Sequence, residues 1–194
     1  MSVTHETSKI ICSKDNIVLK RSEDFDTFSM SFNLKNDKVN LKQILNLKLY
    51  SLLYELNKDV IEKVEILRET ETNSIVLLVF KQFGADFGIS KKYICLYTEI
   101  ETTENEIIMR SKTADTADID KNNLTGISKC EELSCPYINL FVNLASNTEA
   151  SIEYVFNMQM EEELPIYMEN MIGMLMKKIL LRVKEFIEKF GYNN

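Results

Sequence analysis

Leu164-Pro165-Ile166-Tyr167-Met168-Glu169-Asn170 opens the longest amphipathic run in this chain, which continues to Phe190. Proline suits a first helical turn, where the N–H it lacks would be unpaired in any case. Ile172, Met176, Ile179, Val183, Phe186 and Phe190 then recur at the 3.6-residue period of a helix. Lys177, Lys178, Arg182, Lys184, Glu185, Glu188 and Lys189 fall mostly between them, and Gly191 is a natural residue to follow the last turn. A helix over 165–190 is roughly 39 Å long, enough to cross a small domain. One apolar face of that length needs a broad apolar partner.

The middle of the chain supplies it as strands. Phe28, Met30, Phe32 and Leu34 alternate with Thr27, Ser29, Ser31 and Asn33, the period of a half-buried strand. Ile17 to Lys20, Val60 to Leu67, Lys92 to Ile100, Glu106 to Lys112, Tyr137 to Leu144 and Ala150 to Met158 are further strands. Ser74 to Phe83 is nearly all apolar, as in a strand covered on both faces. Between the second and third strands the period changes. Asn40 caps a helix, with Gln43 as its capping-box partner, and Leu41, Ile44, Leu45, Leu49, Leu52, Leu53 and Leu56 follow at helical spacing. Residues 113–134 read as a long polar connection and residues 1–16 as a flexible lead-in, leaving 17–194 as one folded domain. Runs of strands bracketed by helices predict an α+β fold with a mostly antiparallel sheet around the last helix.

Composition narrows the function. The 194 residues are 45% apolar and 27% charged, as in a globular domain with a real core. A net charge of −7 disfavours nucleic acid and strong electrostatic docking on anionic lipid. The N-terminal residues Met1 to Glu6 show neither a cationic nor an apolar leader region, and no apolar run is long enough to span a bilayer. Cys12, Cys95, Cys130 and Cys135 are too scattered for a disulfide scaffold and read as reduced thiols of a cytoplasmic protein, although Cys130 and Cys135 are near enough in sequence to bridge across a turn.

The inventory for chemistry is thin. The one histidine, His5, lies in the lead-in, so Ser/His/Asp and Cys/His nucleophile sets are not available within the folded region. Gly84 and Gly88 frame a turn rather than a phosphate cradle, and Glu161-Glu162-Glu163 charges the approach to the last helix favourably. The Cys130–Cys135 pair has no second pair or histidine to complete a zinc site. The sequence calls for no cofactor, no metal and no enzyme activity.

The closing motif resembles that of the START (StAR-related lipid transfer) family within the Bet v 1-like superfamily. There the last helix opens with isoleucine or leucine, proline, any residue, tryptophan, an apolar residue, any residue and asparagine. Leu164, Pro165, Tyr167, Met168 and Asn170 occupy those positions, with tyrosine for tryptophan. The strand Ile152 to Asn157 resembles the family's strand before the last helix. The glycine-rich turn that usually follows is here Met158 to Glu163, and Ser51 to Tyr54 lacks the arginine with which phospholipid-binding members hold phosphate.

The resemblance implies a helix-grip fold, a curved mostly antiparallel sheet wrapped around the C-terminal helix. It also implies a monomer that binds one lipid (a phospholipid, a sterol or a ceramide-like molecule) in an internal cavity and visits membranes transiently to transfer it. The alternative is a START-like protein-interaction module whose cavity has filled in. Tyr93, Tyr154 and Phe156 are the strand wall candidates, with Tyr167, Met171 and Met174 on the helix, where methionine suits an irregular ligand. Arg110 is the head-group candidate, because its forked guanidinium recognises phosphate or carboxylate, and Glu153 is its partner. Gly173, inside the last helix, marks either close packing on the sheet or a soft point that makes it the lid hinge. In the hinge case, alanine at 173 slows ligand exchange and raises stability.

Overall fold

Alternation builds the sheet. In β3 (Thr27–Lys35) Phe28, Met30, Phe32 and Leu34 are buried, and in β10 (Glu149–Gln159) Ala150, Ile152 and Phe156 are. These two strands pair antiparallel with Phe28 opposite Phe156 and Phe32 opposite Ile152, so both apolar rows share one face. The computed structural model describes residues 8–22, 27–82, 90–119, 124–159 and 166–191. His5, the Gly84–Gly88 turn, Glu161 to Glu163, Leu164 and Pro165 lie outside the described residues, as does the side chain of Met168.

The other strands are β1 (Ser8–Lys14), β2 (Ile17–Ser22), β4 (Ile61–Glu69), β5 (Asn73–Phe80), β6 (Lys92–Thr102), β7 (Glu106–Thr113), β8 (Glu131–Glu132) and β9 (Ser134–Leu144). Among the described residues they form one sheet in the order β1-β2-β3-β10-β9-β7-β6-β5-β4, with every neighbouring pair antiparallel. The short β8 runs parallel to β6. The inner face packs against α1 (Leu49–Leu56) and α2 (Ile166–Lys189) in the main core. On the outer face of β5 and β6, Ile75, Leu77, Val79, Tyr93 and Cys95 form a second core with Ala114 and Ile119. The connection after β7 therefore covers this face, which is why β5 is apolar at consecutive positions.

Two elements depart from the sequence expectations. Ser8–Lys14 is not a loose lead-in but the edge strand β1, joined to β2 through Asp15 and Asn16, both with left-handed φ (60° and 56°). Two such residues in succession are what a tight hairpin turn requires, and Asp and Asn tolerate that conformation. The helix expected from Asn40 to Leu56 breaks in two. Asn40 does cap, but only a 3-10 turn over Leu41–Gln43 follows, and α1 begins at Leu49. Asn46 makes the break. Its side chain donates to the Gln43 carbonyl at 2.8 Å and accepts from the Lys48 N–H at 2.9 Å, offering the backbone a local alternative to the helix ladder.

Both ends of the grip are fastened by polar side chains. At the end of α1, Asn57 bonds back to the Leu53 carbonyl at 2.9 Å, while Arg182 on α2 reaches the Asn57 Oδ1 at 3.2 Å and binds the Asp59 carboxylate. Arg182 and Lys178 together hold the Asp59 carboxyl well below the usual carboxylate range. At the end of α2, the buried Asn36 donates to the carbonyls of Ile187 and Phe190, and Gly191 follows with φ +80°. Asn36→Ala strands those carbonyls and the Lys38 N–H that Asn36 Oδ1 accepts at 2.8 Å. We expect a loss of about 2 kcal/mol in urea denaturation. An unchanged midpoint would show that water replaces Asn36 there.

Candidate functional site

A cavity of about 110 Å³ lies between α1, α2 and the inner face of the sheet. α2 contributes Met176, Ile179 and Leu180, and α1 contributes Leu49, Tyr50 and Leu53. The floor comes from inward residues of β5, β6, β7, β9 and β10, among them Leu78, Leu96, Met109, Leu140, Tyr154 and Phe156. Among the described residues no Asp, Glu, Lys, Arg or His side chain lines it.

Its polar atoms are few and mostly occupied. Tyr50 on α1 bonds to Thr98 of β6 and to Ser111 of β7 at 3.1 Å, and Thr98 donates to Ser111 at 2.8 Å. These hydroxyls close a triangle in which each donates once and accepts once, tying α1 to two strands. Burial raises the Tyr50 phenol above its ordinary value. Cys135 donates its S–H to the Asn157 carbonyl at 2.8 Å, and burial pushes its thiol up to about 12. It points inward because the register of β9 against β10 shifts between Asn157 and Gln159, which lets Cys135 and Ile138 share a face across Pro136.

Tyr154 differs. Its ring is tilted against Phe156 at 5.6 Å between centroids, and Phe156 stacks on Phe28 at 5.2 Å. Its surface faces the cavity. Burial, with the neighbouring Cys135 and Tyr50, raises its phenol well above the ordinary value.

Of the residues expected here, Tyr154 and Phe156 line the cavity and the others do not. Tyr93 belongs to the outer core under the 114–130 connection. The inward residues of β6 are Ile94, Leu96 and Thr98, one position out of phase with Tyr93. Arg110 is exposed and paired with Glu101 at 2.7 Å, because Met109 and Ser111 take the inward positions of β7. Glu153 is exposed on the outer face, opposite Ser31 and Phe141, and Arg110 stands opposite Asn139 and Glu99 instead. Tyr167, Met171 and Met174 are exposed, at 55%, 54% and 43%. They form their own i, i+4, i+7 stripe on the far side of α2, while Met176 is the methionine that reaches the cavity.

Gly173 faces Phe28. A Cβ there would lie 2.8 Å from Phe28 Cε1 and 2.9 Å from Cδ1, so the helix approaches the sheet as closely as only glycine allows. This packing supports the first of the two readings, close packing on the sheet, and opposes the expectation that alanine at 173 raises stability. The hydroxyl triangle was missed in the sequence. Strand parity alone would have placed Ser111 beside Met109 and Thr98 beside Leu96.

No protein-family model and no curated protein sequence matches the chain. Solved structures do. Human STARD10 superposes with a TM-score of 0.73 at 9% identity, covering 95% of this chain and 74% of that one. The lipid transfer and protein localization domain of human StarD13 gives 0.71 at 10%, covering 93% and 88%. Human StAR-related lipid transfer protein 5 gives 0.70 at 12%, covering 96% and 86%. Likeness at such identities is likeness of backbone fold alone. The chain has the helix-grip fold of the StAR-related lipid transfer domains.

Proposed function

We propose that this chain binds one hydrophobic ligand in the cavity under α2 and carries it between membranes, as a single cytoplasmic domain that includes β1 as its edge strand, acting as a monomer. The observation that carries this is a hollow with a mostly apolar lining that holds no charged side chain among the described residues, set between the long helix and the sheet of a lipid-transfer fold. Among the described residues no helix is long and apolar enough to cross a membrane. Ligand pockets usually measure about 300–1,000 Å³. At about 110 Å³ the hollow is a closed form, and a lipid must widen it by moving the first turns of α2. The stripe of Tyr167, Met171 and Met174 gives those turns an apolar outer face for a membrane surface.

No enzymatic role is proposed. The cavity thiol is held protonated and both cavity phenols are pushed upward, so none is poised to act as a base or nucleophile near neutral pH.

The small volume favours a second reading, an interaction module whose core has filled in. Native mass spectrometry of the protein purified from cells, followed by incubation with vesicles carrying labelled phosphatidylcholine, cholesterol or ceramide, separates the two. The carrier retains or acquires an adduct of lipid mass. A clean apo mass with no uptake from any vesicle would leave the interaction module.

A further inference from the structure

We propose that the cavity selects an uncharged lipophilic ligand that offers one acceptor oxygen, a carbonyl or a hydroxyl, to the Tyr154 hydroxyl. This rests on the carrier reading and adds the ligand's chemical class and the residue that discriminates it.

The selection follows from counting donors. The triangle of Tyr50, Thr98 and Ser111 uses each of its own O–H groups internally, and Cys135 spends its S–H on the Asn157 carbonyl. The main-chain donors of β9 and β10 are engaged in the sheet ladder. Among the described residues no hydrogen bond engages the Tyr154 hydroxyl, whose partly buried ring packs against the main core with its surface on the cavity. A phenol facing the hollow finds its acceptor in whatever enters.

Charge is excluded by the same lining. With no cation on the cavity wall among the described residues, a phosphate or carboxylate drawn inside would lose its water and gain no counter-charge. The nearest candidate from the sequence, Arg110, is on the outer face and already bound to Glu101. A saturated hydrocarbon enters freely but leaves the phenol unsatisfied. A ketone or alcohol of the same chain length satisfies it, and an alcohol can also donate to the spare lone pairs of Tyr50 or Ser111. A site holding an unmatched polar group discriminates most strongly against the ligand that lacks the matching atom.

The test uses the intact chain and four probes of one chain length: 2-nonanone, 1-nonanol, nonane and nonyl phosphate. Dissociation constants come from titration calorimetry for the native protein and for Tyr154→Phe, which keeps the ring and its volume. The ketone and the alcohol should bind native protein about tenfold more tightly than nonane, with nonyl phosphate weakest. Tyr154→Phe should remove the preference by weakening ketone and alcohol while leaving nonane unchanged, which also shows that the variant is folded. Equal binding of ketone and nonane, a preference that survives in the variant, or tighter binding of nonyl phosphate would each overturn the selection and leave the carrier reading standing. Failure of all four probes to bind would remove the carrier reading, and this proposal with it.

Discussion

Phe156→Ala is expected to lower the unfolding free energy by about 3–5 kcal/mol. Phe156 is fully buried, stacks on Phe28 and forms part of the cavity wall. Removing its ring deletes apolar contacts on three sides and joins the vacated space to a hollow of about 110 Å³ that is already present. The lining beyond it is nearly all apolar, so the enlarged space should stay dry and admit a small aromatic guest. Urea denaturation with and without saturating benzene measures both consequences. Stability should fall sharply without benzene and recover in part with it, because a ligand bound only to the folded state stabilises by mass action. A loss below about 1 kcal/mol would mean that α2 collapses into the gap, which would argue for a grip that re-packs instead of one that holds a cavity open.

Gly173→Ala is expected to destabilise by about 1–2 kcal/mol, against the ordinary preference of helices for alanine. Propensity favours alanine by up to about 1 kcal/mol. Opposing it, the new methyl carbon would sit 2.8 Å from the Phe28 ring, which is 3% exposed and held by its stack on Phe156. Overpacking of this kind costs about 1–3 kcal/mol and outweighs the gain. For a chain of this size the melting temperature should drop by roughly 2–8 °C. In a Phe28→Leu background the ring edge is gone, and alanine at 173 should become neutral or stabilising. A raised melting temperature in the native background would show that Phe28 yields easily, and would return Gly173 to the role of a soft point in the lid.

The strands were legible where one face is buried and the other wet. β3, β7, β9 and β10 all showed their period of two, because solvent enforces polar residues on the outer side. β6 did not show which face was which, since both of its faces are covered. Tyr93 and Ile94 are both buried there, and only the packing of Ala114, Ile119 and Leu124 on one side tells outer from inner. The same ambiguity misdirected the helix assignments. Two stripes on α2 have helical period, one through Ile172, Met176 and Ile179 and one through Tyr167, Met171 and Met174, and both are apolar. The first lies on the sheet and the second is exposed. β1 escaped notice because an edge strand with one neighbour buries little, and Ile10 is 58% exposed.

Local pattern by itself determined the antiparallel strands and the long closing helix, because each depends on periods and caps that neighbouring residues carry; the likeness to a lipid-transfer fold rested on the motif resemblance from Leu164 to Asn170. Tertiary structure alone decided what the cavity is: which parity of each strand faces inward, that Tyr50, Thr98 and Ser111 close on one another, that Tyr154 is left facing the hollow, and that Gly173 meets Phe28. Those facts join residues up to about 150 positions apart in the chain, and contacts of that range are set by how whole faces pack, which no window of sequence contains.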